Sequence, residues 1–303
     1  MEKKIKNLIL ELNSACNNNC IYCYIPKENR NEKADFPLDY FKKVLVQFRE
    51  KDVSNVDFTG GEPTLCNELP LLVGFAKKLG YTNRTLVTNG RRLSYDSYLQ
   101  KLVDVGITRI VIPLDGHDKE TAESISRSPG SFEQVLKAVE NIKKSDIELG
   151  LTIVVNKINY RHVREIMGKA VELGADFINI QFLLPFVEDK EVVCQKVPSS
   201  IIPSYEDASK FVKLGLQKYR DRIKINVSFI PLCYMKGYEK NISSEGLKLD
   251  RQVVNHKGYS YNMGEHLQKG SAKIKKCADC KHEKQCFGFF LSYKKEFGIE
   301  DEE

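Results

Sequence analysis

Through the first 185 residues, short runs of aliphatic and β-branched residues alternate with longer stretches in which apolar positions recur every three or four residues. The runs predict strands near Leu8–Leu12, Asn55–Phe58, Thr85–Val87, Arg109–Leu114, Leu149–Val155 and Phe177–Phe182. The helical period predicts amphipathic helices near Leu38–Glu50, Glu68–Leu79, Tyr95–Val105, Phe132–Lys144 and Tyr160–Leu173. Three of these helices run into a glycine placed as a C-terminal stop, at Leu79-Gly80, Val105-Gly106 and Leu173-Gly174. Repeated strand–helix units of this kind build a parallel sheet covered by helices. Six right-handed units curve it into an incomplete barrel, with functional loops at the carboxyl ends of the strands.

Beyond Pro185 the alternation stops. A helix near Tyr205–Tyr219, a strand at Ile223–Phe229 and a hairpin from Leu247 to Asn262, turning around Asn255 to Gly258, are expected there. The fold class is therefore α/β, a partial (β/α)6 TIM-like barrel over residues 1–190 followed by a small C-terminal domain over residues 191–303.

Composition changes this picture little: 42% hydrophobic and 29% charged residues, without low-complexity tracts, describe an ordinary globular chain. The net charge of +6 is spread along the sequence, and the lysines between Lys269 and Lys281 read as a solvated face. Neither nucleic acid nor a membrane is an expected partner. The apolar run Leu8-Ile9-Leu10 is too short for a signal peptide or a membrane span, so the chain reads as cytoplasmic.

Cysteine usage is more informative. Nine cysteines in a cytoplasmic chain point to metal or redox chemistry rather than disulfides. Cys16, Cys20 and Cys23, spaced C-x3-C-x2-C, follow the first predicted strand; Cys277, Cys280 and Cys286 gather near the C-terminus. Three thiolates hold a cubane iron–sulfur cluster while leaving one iron open, whereas a structural zinc site is closed by four protein ligands. The histidine nearest in sequence to the first trio is His117. After the second strand comes Thr59-Gly60-Gly61-Glu62-Pro63, a turn in which paired glycines admit a close backbone approach and the carboxylate offers an acceptor for an ammonium group.

In this order, Cys16-x3-Cys20-Ile21-Tyr22-Cys23 and Gly60-Gly61-Glu62-Pro63 resemble the radical S-adenosylmethionine (SAM) enzyme superfamily. Thr88-Asn89-Gly90, Leu114-Asp115-Gly116 and Arg127-Ser128-Pro129-Gly130-Ser131-Phe132 are similar to its branch with C-terminal auxiliary clusters. The resemblance implies a [4Fe-4S] cluster on the first trio and SAM chelated at the open iron. It also implies an external one-electron reductant of flavodoxin or ferredoxin type, and cleavage to a 5'-deoxyadenosyl radical that abstracts a substrate hydrogen. It places Tyr22 against the adenine, Glu62 on the methionine ammonium and Arg127 on the methionine carboxylate, with Gly60, Gly61, Thr88 and Asp115 completing the cofactor site. Pro113 stands where relatives often carry a serine, which leaves Thr88 or Asn156 to make that strand's contacts.

Cys277-x2-Cys280-x5-Cys286 resembles the twitch domain, the shortened relative of the SPASM domain, with Cys233 as fourth ligand of one auxiliary [4Fe-4S] cluster and Cys194 as the alternative. Phe290 stands where a full SPASM pattern continues with a further cysteine. A four-cysteine zinc site is the competing reading of those residues, and Cys66 reads as a core thiol.

Function follows as oxidation or crosslinking of a peptide with the auxiliary cluster accepting an electron. Alternatives are dehydrogenation of a small-molecule alcohol, or a non-catalytic iron–sulfur electron carrier. Because Cys16 follows the start closely, peptide recognition is expected from the C-terminal part or a separate partner. Glu188 and Asp189 are carboxylates that could serve as base.

Overall fold

The computed structural model describes residues 4–30, 37–183, 197–243 and 250–300. In chain order its elements are β1 (Asn7–Glu11), α1 (Lys27–Arg30), α2 (Leu38–Arg49), β2 (Asn55–Thr59), α3 (Leu69–Lys78), β3 (Asn83–Val87), α4 (Asp96–Val105), β4 (Arg109–Pro113), α5 (Lys119–Ser126) and α6 (Ser131–Ile142). There follow β5 (Glu148–Val155), α7 (Val163–Glu172), β6 (Phe177–Phe182), α8 (Tyr205–Tyr219), β7 (Lys224–Ser228), β8 (Arg251–Asn255), β9 (Ser260–Asn262), α9 (Met263–Lys269), β10 (Ser271–Ala272), β11 (Phe289–Phe290) and α10 (Leu291–Phe297).

All six expected strands form, each within about two residues of its predicted ends. Among the described residues they belong to a nine-stranded sheet of order β7-β6-β5-β4-β3-β2-β1-β8-β9. Pairing from β7 through to β8 is parallel, and only β9 runs antiparallel, against β8. The alternation continues past Pro185: β7 joins β6 in parallel, with Ile225 and Val227 buried. The expected hairpin forms as β8 and β9, and its first strand also pairs with β1, Asn7 opposite Arg251 through Glu11 opposite Asn255. Strands from both sides of residue 190 therefore share one sheet.

Period two decides the layering. Leu8 and Leu10 of β1, Val56 and Phe58 of β2, and Leu86 of β3 are wholly buried in one core cluster with Phe41 and Leu45 of α2 and Leu69, Leu72 and Ala76 of α3. The alternate positions Asn7, Asn55, Asp57, Asn83, Thr85 and Arg109 face the other way. They line a polar cavity of about 270 Å³ at the amino ends of the strands, tied by Asn7 Nδ2 to Asp57 Oδ2 at 2.7 Å and Arg109 Nε to Glu148 Oε2 at 2.7 Å. Polar residues thus close the amino end, and the carboxyl end carries the sequence motifs.

Helix ends follow their local chemistry. α5, which the hydrophobic period did not reveal, starts where Asp118 Oδ1 accepts from Thr121 N at 2.8 Å, and α8 starts on Ser204 in the same way. α4 stops at Gly106 (φ 93°), a left-handed residue where an L side chain is strained. Beyond the sheet, α8 and α10 meet through Tyr205 and Tyr293, stacked at 3.7 Å between ring centroids, with Tyr293 Oη accepting from Tyr205 N at 2.6 Å.

Candidate active site

The loop carrying Cys16, Cys20 and Cys23 leaves β1 and is zipped to the turn after β2. Gly61 N donates to Asn13 O and Glu62 N to Ala15 O, each at 2.7 Å, and Asn13 Nδ2 reaches Glu62 O at 3.1 Å. The paired glycines are required here by the protein's own backbone: a Cβ on Gly60 would lie 2.6 Å from Asn13 O, and one on Gly61 only 2.2 Å from Ala15 O. On its other side the loop docks on the end of α5, where Asn19 N donates to Ser126 O and Ile21 N to Ile125 O. Arg91 adds a third anchor through Asn17 O and Asn18 Oδ1.

Glu62 is 0% exposed. Its Oε1 accepts from Thr64 N (3.0 Å), Thr64 Oγ1 (2.5 Å) and Thr88 Oγ1 (2.6 Å), and its Oε2 accepts from Asn89 N at 2.7 Å. Burial pushes its pKa above the usual carboxylate value, against the pull of those donors. The carboxylate expected to meet a ligand's ammonium is sealed from solvent and accepts four hydrogen bonds from the chain. Glu62 and Thr88 lock the second strand's turn to the third's, and Gly90 N completes the lock on Thr88 Oγ1 at 3.1 Å.

Tyr22 and Asp115 are brought together: the Tyr22 hydroxyl donates to Asp115 Oδ2, while Val154 N donates to Asp115 Oδ1 at 2.9 Å. The cysteine loop, the turn after β4 and strand β5 are thus tied at one point. Burial raises Asp115 from 3.8 to about 6, with Tyr22 and Val154 opposing. A raised carboxyl favours the protonated folded state, so this stability is full below about pH 4 and lost as pH climbs through about 6, ~3 kcal/mol in all. Asp115→Asn is expected to flatten that dependence, which denaturant unfolding of the metal-free chain at pH 4 to 7 would measure.

Asn156 is also buried, but its side chain serves the turn after β5, donating to Val154 O and accepting from Ile158 N, both at 2.9 Å. Arg127 sits just past the α5 carbonyls that hold the cysteine loop, exposed and at φ 49°. Its guanidinium has no partner among the described residues. Cys66 is a core thiol, 1% exposed, accepting from Asn13 Nδ2 at 2.8 Å. Cys194, Glu188 and Asp189 lie outside the described residues.

The first three thiols lie within one another's electrostatic reach. Burial, with Glu62 and Cys23 adding to it, raises Cys16 to about 11; burial, Asp115, Cys16 and Cys23 raise Cys20 further; burial raises Cys23, opposed by the guanidinium of Arg30. Among the described residues no three His, Cys, Asp or Glu side chains converge as ligands of a single ion do. Three thiols on one loop suit a cluster, in which each sulfur binds a different iron. The trio fits a cubane with one iron left for another ligand, and loading it must displace the thiol protons. Arg30, which the sequence reading passed over, is the basic group nearest this loop in effect.

At the other end of the chain, Cys233, Cys277, Cys280 and Cys286 line one cavity of about 300 Å³ together with Leu232, Tyr234 and Phe289. Desolvation, then the Cys286, Cys277 and Cys280 thiols, raise Cys233 to about 11. Successive turns wind Cys277 to Cys280 (Cys277 N to Ile274 O, Cys280 N to Cys277 O), and β10 with β11 closes their base. Four thiols around one cavity, not converging as the ligands of a single ion do, are the number that a closed cluster takes.

No helix among the described residues is long and apolar enough to cross a membrane. Comparison with known proteins agrees with the arrangement of the motifs. The chain is 28% identical over 223 residues to the PqqA peptide cyclase of Bradyrhizobium diazoefficiens, covering 72% of this chain and 57% of that protein. It is 30% identical over 190 residues to a probable GTP 3',8-cyclase of Methanococcus maripaludis, covering 60% of each. The chain thus spans less than two thirds of the length of these curated relatives. Streptococcus suis SuiB, solved bound to S-adenosylmethionine, superposes with a TM-score of 0.68 at 15% identity over 96% of this chain and 74% of SuiB, a likeness of fold. The family model described as the Radical SAM superfamily matches residues 10–170, more than half of the sequence and all of the motif-bearing strand ends from β1 to β5; the chain belongs to the Radical SAM superfamily.

Proposed function

We propose that this chain is a radical SAM enzyme that oxidises or crosslinks a peptide, with residues 1–190 carrying the SAM-binding barrel motifs and residues 191–303 an auxiliary-cluster domain of twitch type. The observation that carries the reading is the pairing of a three-thiol loop at the strand ends with a separate four-thiol cavity. The three-thiol loop would hold a cluster with one iron open to a ligand, and the four-thiol cavity would hold a closed cluster able to supply electron transfer.

Cys16, Cys20 and Cys23 hold the first [4Fe-4S] cluster; Cys233, Cys277, Cys280 and Cys286 hold the auxiliary one. When bound, SAM supplies a 5'-deoxyadenosyl radical after one-electron cleavage with an electron from a flavodoxin or ferredoxin. The Gly60-Gly61 turn presents backbone groups toward the cofactor's methionine end, and Glu62 with Thr88 fixes that turn from behind. Arg127 offers a free guanidinium fork to the methionine carboxylate. Tyr22, whose hydroxyl is held by Asp115, would offer its ring to the adenine. Relatives named for peptide substrates support the substrate class: the PqqA peptide cyclase, and SuiB, solved with its precursor peptide SuiA. The likeness to a GTP cyclase keeps a small-molecule substrate as the second reading.

The test is anaerobic incubation of reconstituted, dithionite-reduced protein with SAM, with and without a library of short unmodified peptides. Formation of 5'-deoxyadenosine, accelerated by peptides that lose two hydrogens by mass spectrometry, is the expected result. No 5'-deoxyadenosine from a fully loaded protein would replace the enzyme by an electron carrier. Acceleration by alcohols and not by peptides would establish the second reading.

A further inference from the structure

We infer that Arg30 is a positioning residue that sets the reduction potential of the cluster on Cys16, Cys20 and Cys23, its buried positive charge making that cluster easier to reduce. The inference rests on the assignment of those cysteines as ligands.

Arg30 ends the short helix α1 and is 6% exposed, so its charge is removed from bulk water. A buried guanidinium ordinarily meets a carboxylate, since an uncompensated buried charge is costly. Among the described residues no carboxylate pairs with Arg30. Its polar partners are neutral: Nε donates to Ile25 O at 2.9 Å and Nη1 to Asn19 Oδ1 at 3.1 Å. Both acceptors belong to the cysteine loop or its immediate continuation. Its own carbonyl accepts from Cys16 N at 3.0 Å, so side chain and backbone of one residue clasp the loop at its beginning, middle and end.

The charge lies against the sulfur-bearing loop, because Nη1 is bonded to Asn19, the neighbour of Cys20, and Nε to Ile25, two residues past Cys23. The same field that favours a thiolate favours added negative charge on whatever the thiolates bind. One-electron reduction adds such charge, so the field raises the potential. Arg91 also reaches this loop, at Asn17 O and Asn18 Oδ1, so of the two guanidiniums bonded to it Arg30 is the one removed from water.

The test compares Arg30→Met, Arg30→Gln and Arg30→Lys with wild type in the reconstituted full chain. Iron content is measured first. Potentiometric titration then follows the EPR signal that responds to added SAM, which separates this cluster from any other. Neutral variants are expected to show at least a tenfold lower reduced-to-oxidised ratio at fixed potential, a shift of about 59 mV for one electron. Arg30→Lys is expected to stay within about threefold of wild type, a window well inside that tenfold step. Neutral variants that lose the cluster while Arg30→Lys keeps it would also support the role of the charge. An unchanged potential in a loaded neutral variant would overturn it. So would a lysine variant that shifts, or loses its cluster, as fully as the neutral ones, since the clasp and not the charge would then be the cause. Failure of the ligand assignment reads out separately, as wild-type iron retained when the three cysteines are replaced.

Discussion

Replacing Cys16, Cys20 and Cys23 together by alanine is expected to lower bound iron from about eight to about four per chain, the content of one remaining cubane, and to abolish formation of 5'-deoxyadenosine. The reasoning is geometric. The three thiols share one loop pinned to the turn after β2 and to the end of α5, and Cys66 cannot substitute, because it is packed in the core against Asn13. The complementary variant, Cys277→Ala with Cys280→Ala, is expected to lose the other four irons while still cleaving SAM without turning over substrate. Iron and sulfide counting with product chromatography distinguishes the two. Four irons in the wild type would remove the auxiliary cluster, and zinc in place of iron would end the radical reading.

Glu62→Ala should produce the largest loss of stability short of a core truncation. Four hydrogen bonds from Thr64, Thr88 and Asn89 converge on a carboxylate without solvent access. Bonds to a charged acceptor contribute more than neutral ones, and the donors left behind lack water to replace it. A cost on the order of 4 kcal/mol follows, or a fall of about 10 °C in Tm for a chain of this size. Because the lock joins the turn carrying Gly61 to the one carrying Asn89, affinity for SAM is expected to fall with it, which isothermal titration of the loaded protein would show. Thr88→Val, which removes one of the four donors, should cost about 1–2 kcal/mol. Glu62→Ala stability equal to wild type would show that the turns are held by something else.

The strands and most helices of the first 185 residues were legible because each is long enough to display its period, and the helix stops because Gly80, Gly106 and Gly174 mark left-handed ends. β7 belongs to the sheet despite the long approach through α8, since two buried residues, Ile225 and Val227, give a five-residue strand too little periodicity to announce its partner. Parallel pairing of β8 with β1 was illegible for a different reason. A hairpin signal is local, whereas its docking on a strand 244 positions earlier, from Asn7 to Arg251, is a tertiary event.

At the site, residue types and spacing pointed to the cysteines, the two glycines and the motif carboxylates. They did not reveal how the polar atoms are used. Glu62 also serves as an internal lock through Thr64, Thr88 and Asn89, and Gly60 and Gly61 also admit the backbone of Asn13 and Ala15. Arg30 stands outside every motif, seven residues beyond Cys23, and its signal is burial, which sequence alone does not carry.

The placement of β8 beside β1 has a consequence for making and cutting this protein. The strand that launches the cysteine loop has its outer hydrogen-bonding edge covered by residues translated long after it, Arg251 to Asn255. A fragment trimmed to the family-matched stretch would bare that edge, an invitation to intermolecular strand pairing and precipitation. The family-matched stretch and the distant strand that covers its edge are thus one unit of manufacture, and the cysteine loop sits on an open seam until that strand has been made.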